Sequence, residues 1–187
     1  MTKPEAWVKY EDLKDNGGRF TVSPLDKGMG NTIGNAMRRV LLSSLSGAAV
    51  TAVRIDGVTH EFSTLPNIVE DVLDIICNIK EVIFKTVDSE PKTVTLEAKS
   101  KGVVTAKDFK TDGGVTIINP NQHIATLDTG ATLKMSLTIE TGIGFVPTQL
   151  TRSEDQVIDE ILLDASFSPI ERVNHQVESI RVGKSLD

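Results

Sequence analysis

The 187-residue chain carries 26 Asp and Glu against 20 Lys and Arg, and its formal charge of −6 excludes a free-standing basic platform for nucleic acid. Hydrophobic residues at 39% and charged residues at 25% describe a globular chain of one domain or two small ones, not a disordered one. With aromatic residues at only 4%, the core must be aliphatic and little remains to stack single-stranded bases.

The opening Met1-Thr-Lys-Pro-Glu-Ala6 lacks the apolar stretch of a secretory signal. No apolar run approaches the ~20 residues needed to cross a bilayer, so a soluble cytoplasmic protein is expected. One cysteine, Cys77, excludes an internal disulfide and a cysteine-rich metal centre.

Trp7 to Val22 reads as a strand broken by Asn16-Gly17-Gly18. A turn-rich loop from Pro24 to Asn31 then leads into a helix. Ile33, Met37, Val40, Leu41 and Leu45 share one face of it, Asn31 or Thr32 is expected to cap its start, and Ser46-Gly47 to end it. Ala49–Ile55, Asp56-Gly57 and Val58–Phe62 read as a β-hairpin, because Asp-Gly suits a primed turn.

A second helix is expected to open at Pro66-Asn67, with Ile68, Val72, Ile75, Ile76 and Ile79 as its buried stripe and Asn67 with Glu70 as a capping box. Strands dominate from Val82 to Ile139. Leu133, Met135, Leu137 and Ile139 alternate strictly with Lys134, Ser136 and Thr138. A polar stretch follows Gly142–Pro147, and a last strand is expected from Ile170 to Val182. Strands and two helices without βαβ regularity argue for an α+β fold.

Gly28-Met-Gly30-Asn-Thr-Ile-Gly34, ahead of a helix, is the tempting catalytic signal, since helix N-termini gather free N–H groups that cradle phosphates. Its spacing is one residue off the dinucleotide fingerprint, and no Gly-Lys-Ser/Thr completes a P-loop. Asp56 sits at a plausible distance for a ribose partner, but a tight turn with close packing at Gly34 explains the glycines equally. A small nucleotide-binding enzyme is the alternative function this loop keeps open.

His60, His123 and His175 stand far apart and none has a second ligand at metal spacing, so no metal site is expected. Cys77, beside Ile75 and Ile76, reads as a buried and inert thiol. Glu70, Asp71 and Asp74 read as a solvated helix face. Arg38 and Arg39 stand within the apolar run Ala36–Leu45, and Arg39 shares a face with Leu42, apart from the Ile33-Met37-Leu41 stripe. Arginine beside leucine is the composition of an interface hot spot, although an arginine snorkelling over its own core would look the same.

Ile33-Gly-Asn-Ala-Met-Arg-Arg-Val-Leu-Leu-Ser-Ser44 resembles the signature helix of the bacterial DNA-dependent RNA polymerase α subunit, N-terminal domain. Val53–Thr64, Glu70–Lys80, Gly142–Pro147 and Leu162–Arg172 resemble further segments of that family, in family order and over nearly the whole chain.

The resemblance implies a dimerisation subdomain of residues 1–46 with 170–187 and a β-rich domain, 47–169, inserted into it. It implies a non-catalytic assembly role: the chain forms a homodimer and recruits the polymerase's β and β′ subunits, which hold the nucleotidyltransferase active site. By the same resemblance Arg38, Arg39, Leu42, His60 and Glu61 face β, and Lys80, Leu163 and Ser168 are linked to β′. Ile33, Met37, Leu41 and Leu45 would serve dimerisation. No cofactor is implied on this chain, no membrane, and no direct DNA contact. The family's domain continues past Val182 through another strand and a helix, so the dimerisation subdomain is expected to be incomplete here. An α-like subunit of an archaeal or eukaryotic polymerase, pairing with a different chain, is disfavoured by the Arg38-Arg39 helix.

Overall fold

The strict alternation read around Leu137 becomes the longest strand of the chain. In the computed structural model, which describes residues 5–14, 16–148, 159–182 and 185–186, strand β9 runs Leu133–Ile143. Leu133, Met135, Leu137 and Ile139 are buried, while Lys134, Ser136 and Thr138 turn to the other face, as a period of two requires.

The chain divides into two compact units, Met1–Leu42 with Ile170–Asp187, and Ser43–Pro169. In the second, β9 pairs antiparallel with β3 (Ser46–Ile55) on one side and β5 (Lys92–Ala98) on the other. Strand β11 (Ile161–Leu162) extends the sheet, giving the order β11-β3-β9-β5. A bulge falls at Thr51, between Val50 and Ala52. Thr51 is buried, yet its hydroxyl donates to the Thr138 carbonyl at 3.5 Å and its own carbonyl accepts the Leu163 N–H at 2.8 Å, so the extra residue keeps its polar groups satisfied.

Helix α2 (Val72–Lys80) adds Val72, Ile75, Ile76 and Ile79 to the same core, an i, i+3, i+4, i+7 stripe. Full burial of each such side chain contributes roughly 1.5–3 kcal/mol. Smaller antiparallel pairs complete the unit: β4 (Phe84–Thr86) with β7 (Val115–Ile117), β6 (Gly102–Thr105) with β8 (His123–Leu127), and β10 (Phe145–Val146) with β12 (Ala165–Ser166).

The other unit contains a hairpin of β1 (Trp7–Asp12) and β2 (Gly18–Ser23), helix α1 (Met29–Ser43), and a short pair, β13 (Arg181–Val182) with β14 (Ser185–Leu186). Tyr10 and Phe20 stack across the hairpin with ring centroids 4.8 Å apart.

Mixed helix and sheet, mostly sheet, agrees with the expected α+β class. Several local expectations fail for identifiable reasons. Helix α1 starts at Met29, whose N–H donates to Asp26, and Thr32 is no cap because its hydroxyl donates back to the Gly28 carbonyl at 3.4 Å from inside the helix. The helix ends at Ser43, because Ser46 and Gly47 pair with Ile143 and Gly142 instead; Leu45 therefore lies beyond the helical stripe.

Asp56-Gly57 does form a turn, with Gly57 at φ +82° and Val58 N–H donating to Ile55, but no hairpin follows. Both edges of β3 are already taken, by β9 and β11, and Val58 turns into the core. Helix α2 opens at Asp71, whose carboxylate caps Asp74 N–H at 2.8 Å, five residues after Pro66. Residues 67–69 are held against β8 by a single isolated bridge, not by helix: Asp128 N–H donates to Asn67, Val69 N–H donates to Thr126, and Ile68 bridges Leu127.

Residues 170–180 form no ladder, although a strand is expected there. Cys77 is exposed, because it projects opposite the Val72-Ile75-Ile79 stripe. Most of the polar stretch expected after Pro147 lies at 149–158, outside the described residues, as does the opening at 1–4.

Leu137 has no exposed surface, so Leu137→Ala is expected to lower stability by about 2–5 kcal/mol, read as a lower urea midpoint. Lys134→Ala, its neighbour on the solvent face, loses only a surface ion pair to Asp56 at 3.4 Å and should stay within about 1 kcal/mol of the parent.

Candidate functional site

Helix α1 contains no buried residue, although its sequence is strongly amphipathic. Ile33, Leu41 and Leu42 are half-buried, Met37 and Val40 are each 50% exposed, and Arg38 and Arg39 lie at the surface. Successive residues turn by 100°, which groups Ile33, Met37, Val40 and Leu41 with Gly30 and Gly34 on one side and sets Arg39 and Leu42 well away from them.

The two glycines are a packing notch rather than a phosphate loop. A Cβ on Gly30 would lie 2.8 Å from Val177 Cγ1, and one on Gly34 would overlap the His175 ring. Both glycines stand inside the helix, and the extended 175–177 segment occupies the space a cradle would need. The nucleotide-binding alternative therefore loses its loop.

The second surface belongs to the larger unit. His60 is exposed and Glu61 half-buried, and the Ser63 hydroxyl lies 3.2 Å from His60 Nδ1. Phe62 and Val69 are 77% and 75% exposed, with Leu73 nearby in sequence on the outer face of α2. Among these residues Glu70 turns inward. Its carboxylate accepts the Thr126 N–H at 2.6 Å and the Thr126 hydroxyl at 3.0 Å, and meets His123 Nε2 at 2.8 Å.

Burial pushes the Glu70 carboxyl up, but the hydrogen bonds from the Thr126 backbone and His123 outweigh it and hold it below the usual carboxylate range. The reading of Glu70 as a solvated residue is thus corrected: its side chain is only 15% exposed. Its partners lie 53 and 56 residues along the chain, so no local spacing could have revealed them.

The third group surrounds Asp164. Thr148 donates to its carboxylate from both backbone and hydroxyl at 2.6 Å, which holds that carboxyl low, and the charge of Lys80 acts in the same direction. Lys80 is exposed at the end of α2, and Ser168 is half-buried. Leu163 is only 5% exposed and its side chain packs in the core, on the short connection between β11 and β12 that also carries Asp164.

The three histidines stay apart, His60 by Ser63, His123 on Glu70 and His175 on Gly34. Among the described residues no three His, Cys, Asp or Glu side chains gather as a metal site, and no helix is long and apolar enough to cross a membrane. An open groove of about 410 Å³ on the solvent face of the sheet is lined by Arg54, Lys110 and Lys134 together with Asp56 and Glu97, so its cations stand among carboxylates, Lys134 being paired with Asp56 at 3.4 Å.

Within the larger unit, the four-stranded antiparallel sheet with helix α2 packed against it is the frame that carries the second and third of these surfaces. Residues 53–168 match the model of the RNA polymerase Rpb3/RpoA insert domain. All of the chain aligns with DNA-directed RNA polymerase α subunits, 48% identical to that of Alkaliphilus oremlandii, 50% to that of Moorella thermoacetica and 51% to that of Symbiobacterium thermophilum. The chain belongs to the DNA-directed RNA polymerase α subunit family, and it spans 59% of the length of those relatives.

Glu70 has a testable signature. Its carboxyl titrates lower in the folded than in the unfolded chain, so its contribution is complete above the ordinary carboxylate value of about 4.3 and is lost as pH falls through the folded value. Glu70→Gln should cost roughly 1–3 kcal/mol at pH 7, and urea titrations should show that deficit shrinking as pH falls below the ordinary carboxylate value.

Proposed function

We propose that this chain is a non-catalytic assembly piece of a DNA-dependent RNA polymerase, which pairs with a second copy of itself and recruits the β and β′ subunits. The observation that carries the proposal is α1: a fifteen-residue helix with an apolar stripe and not one buried residue. Such a stripe is stable in water only when another surface covers it. The glycine notch and the 175–177 segment cover its N-terminal half, and Met37 and Val40 are left half-exposed for a partner.

In this reading Ile33, Met37 and Leu41 serve the homodimer. Arg38, Arg39 and Leu42, on another side of the helix, face β, as do His60 and Glu61 on the larger unit. Lys80 and Ser168 face β′, with Leu163 anchoring the connection between β11 and β12 from within the core. The active site of nucleotide transfer belongs to the partner subunits, and this chain needs no cofactor of its own. A charge of −6 agrees with assembly on protein rather than on promoter DNA.

Two substitutions separate the roles. Arg39→Ala should weaken capture of a bacterial β subunit, since removing one member of a charge pair buried on binding costs roughly 2–5 kcal/mol; unchanged retention of β by the folded variant would refute the assignment. Met37→Asp places a charge on the dimer stripe. Native mass spectrometry of the chain co-expressed with β should then shift from a 2:1 to a 1:1 complex, whereas a parent chain that is already 1:1 would remove the homodimer from the proposal.

A further inference from the structure

The segment between β3 and α2 holds exposed apolar side chains without helix or ladder of its own. Phe62 and Val69 stand 77% and 75% exposed, on backbone held by turn and long-range hydrogen bonds rather than by a repeating ladder. An irregular segment of this kind loses conformational freedom when a partner captures it, and affinity rises if that ordering is done beforehand.

The structure shows how the ordering is done. Val72 N–H donates to the Ser63 carbonyl at 3.2 Å, tying the start of the segment to the first turn of α2. Asn67, at φ +59°, reverses the chain so that Asp128 N–H reaches its carbonyl at 2.8 Å and Val69 N–H reaches Thr126 at 3.0 Å. Glu70 then closes the segment with its side chain, accepting from the Thr126 N–H and hydroxyl and meeting the His123 ring. Its carboxylate thus grips the β8 residue whose carbonyl accepts Val69, so backbone and side chain hold the same residue along one strand edge.

We propose that Glu70 is a positioning residue for subunit capture: its clamp on Thr126 and His123 holds Phe62 and Val69 in the arrangement that a partner protein binds, without itself touching that partner. The inference rests on the reading of residues 60–64 as facing the polymerase β subunit. Glu70 is 15% exposed and its carboxylate oxygens are occupied from within, so it serves the interface through the segment it fixes.

The test measures affinity of the 187-residue chain for a bacterial β subunit by biolayer interferometry, alongside thermal unfolding and hydrogen exchange. Glu70→Ala should weaken binding by on the order of tenfold and speed exchange at the Val69 and Thr126 amides. Glu70→Gln keeps the shape and one acceptor, so it should fall between Ala and the parent; it also carries the test if the Ala variant fails to fold. Ile79→Val, a core substitution on the buried face of α2, controls for stability and should leave β affinity within about twofold.

Parent-like affinity of folded Glu70→Ala and Glu70→Gln would overturn the inference, as would equal losses in Ile79→Val at matched thermal stability. A parent chain that does not bind β at all would overturn the partner reading and this inference with it, which distinguishes the two failures.

Discussion

The antiparallel ladder between β3 and β9 is the interaction on which the larger unit depends. It runs from Ser46 opposite Ile143 to Ile55 opposite Met135, and one slip of register would turn Leu133, Met135, Leu137 and Ile139 out of the core together. The register also dictates what neighbouring residues cannot do. With β9 and β11 on its two edges, β3 has no place for a following hairpin strand, and at the Thr51 bulge the Leu163 N–H meets the carbonyl that the bulge takes out of the ladder.

Helix α1 poses the opposite problem, because its amphipathic pattern is not resolved inside its own unit. Glycine at positions 30 and 34 removes side-chain bulk so that His175 and Val177 can lie against the helix, which uses part of the apolar stripe. The remainder, Met37 and Val40, keeps half its surface in water. A pattern that is costly for the single chain becomes favourable once a second surface covers it, which is the physical basis of the assembly role proposed for this helix.

The segment between β3 and α2 combines both behaviours. It exposes Phe62 and Val69 while Glu70, one residue after Val69, is drawn inward by three hydrogen bonds to two residues, Thr126 and His123. A carboxylate so occupied adds rigidity without regular secondary structure, and a protein surface that must be both exposed and ordered needs that kind of support.

Periodicity alone established the elements whose faces are local properties: the alternation of Leu133 to Ile139, the Val72-Ile75-Ile76-Ile79 stripe, and the amphipathic helix bearing Arg38 and Arg39. The collinear blocks from Ile33 to Arg172 carried the family, since motif order is a property of the chain itself. Tertiary structure decided what depends on distant partners. Asp56-Gly57 turned without a hairpin because β9 and β11 already held the edges; Asn67 to Val69 stayed out of the helix because β8 offered a bridge and two hydrogen bonds; Leu163 went inward; and Glu70, with nothing nearby to mark it, found Thr126 and His123 across the fold. The reason is common to all four: a hydrogen bond or a buried face is settled by whichever group lies closest in space, and chain spacing reports that only when both partners lie within one or two turns.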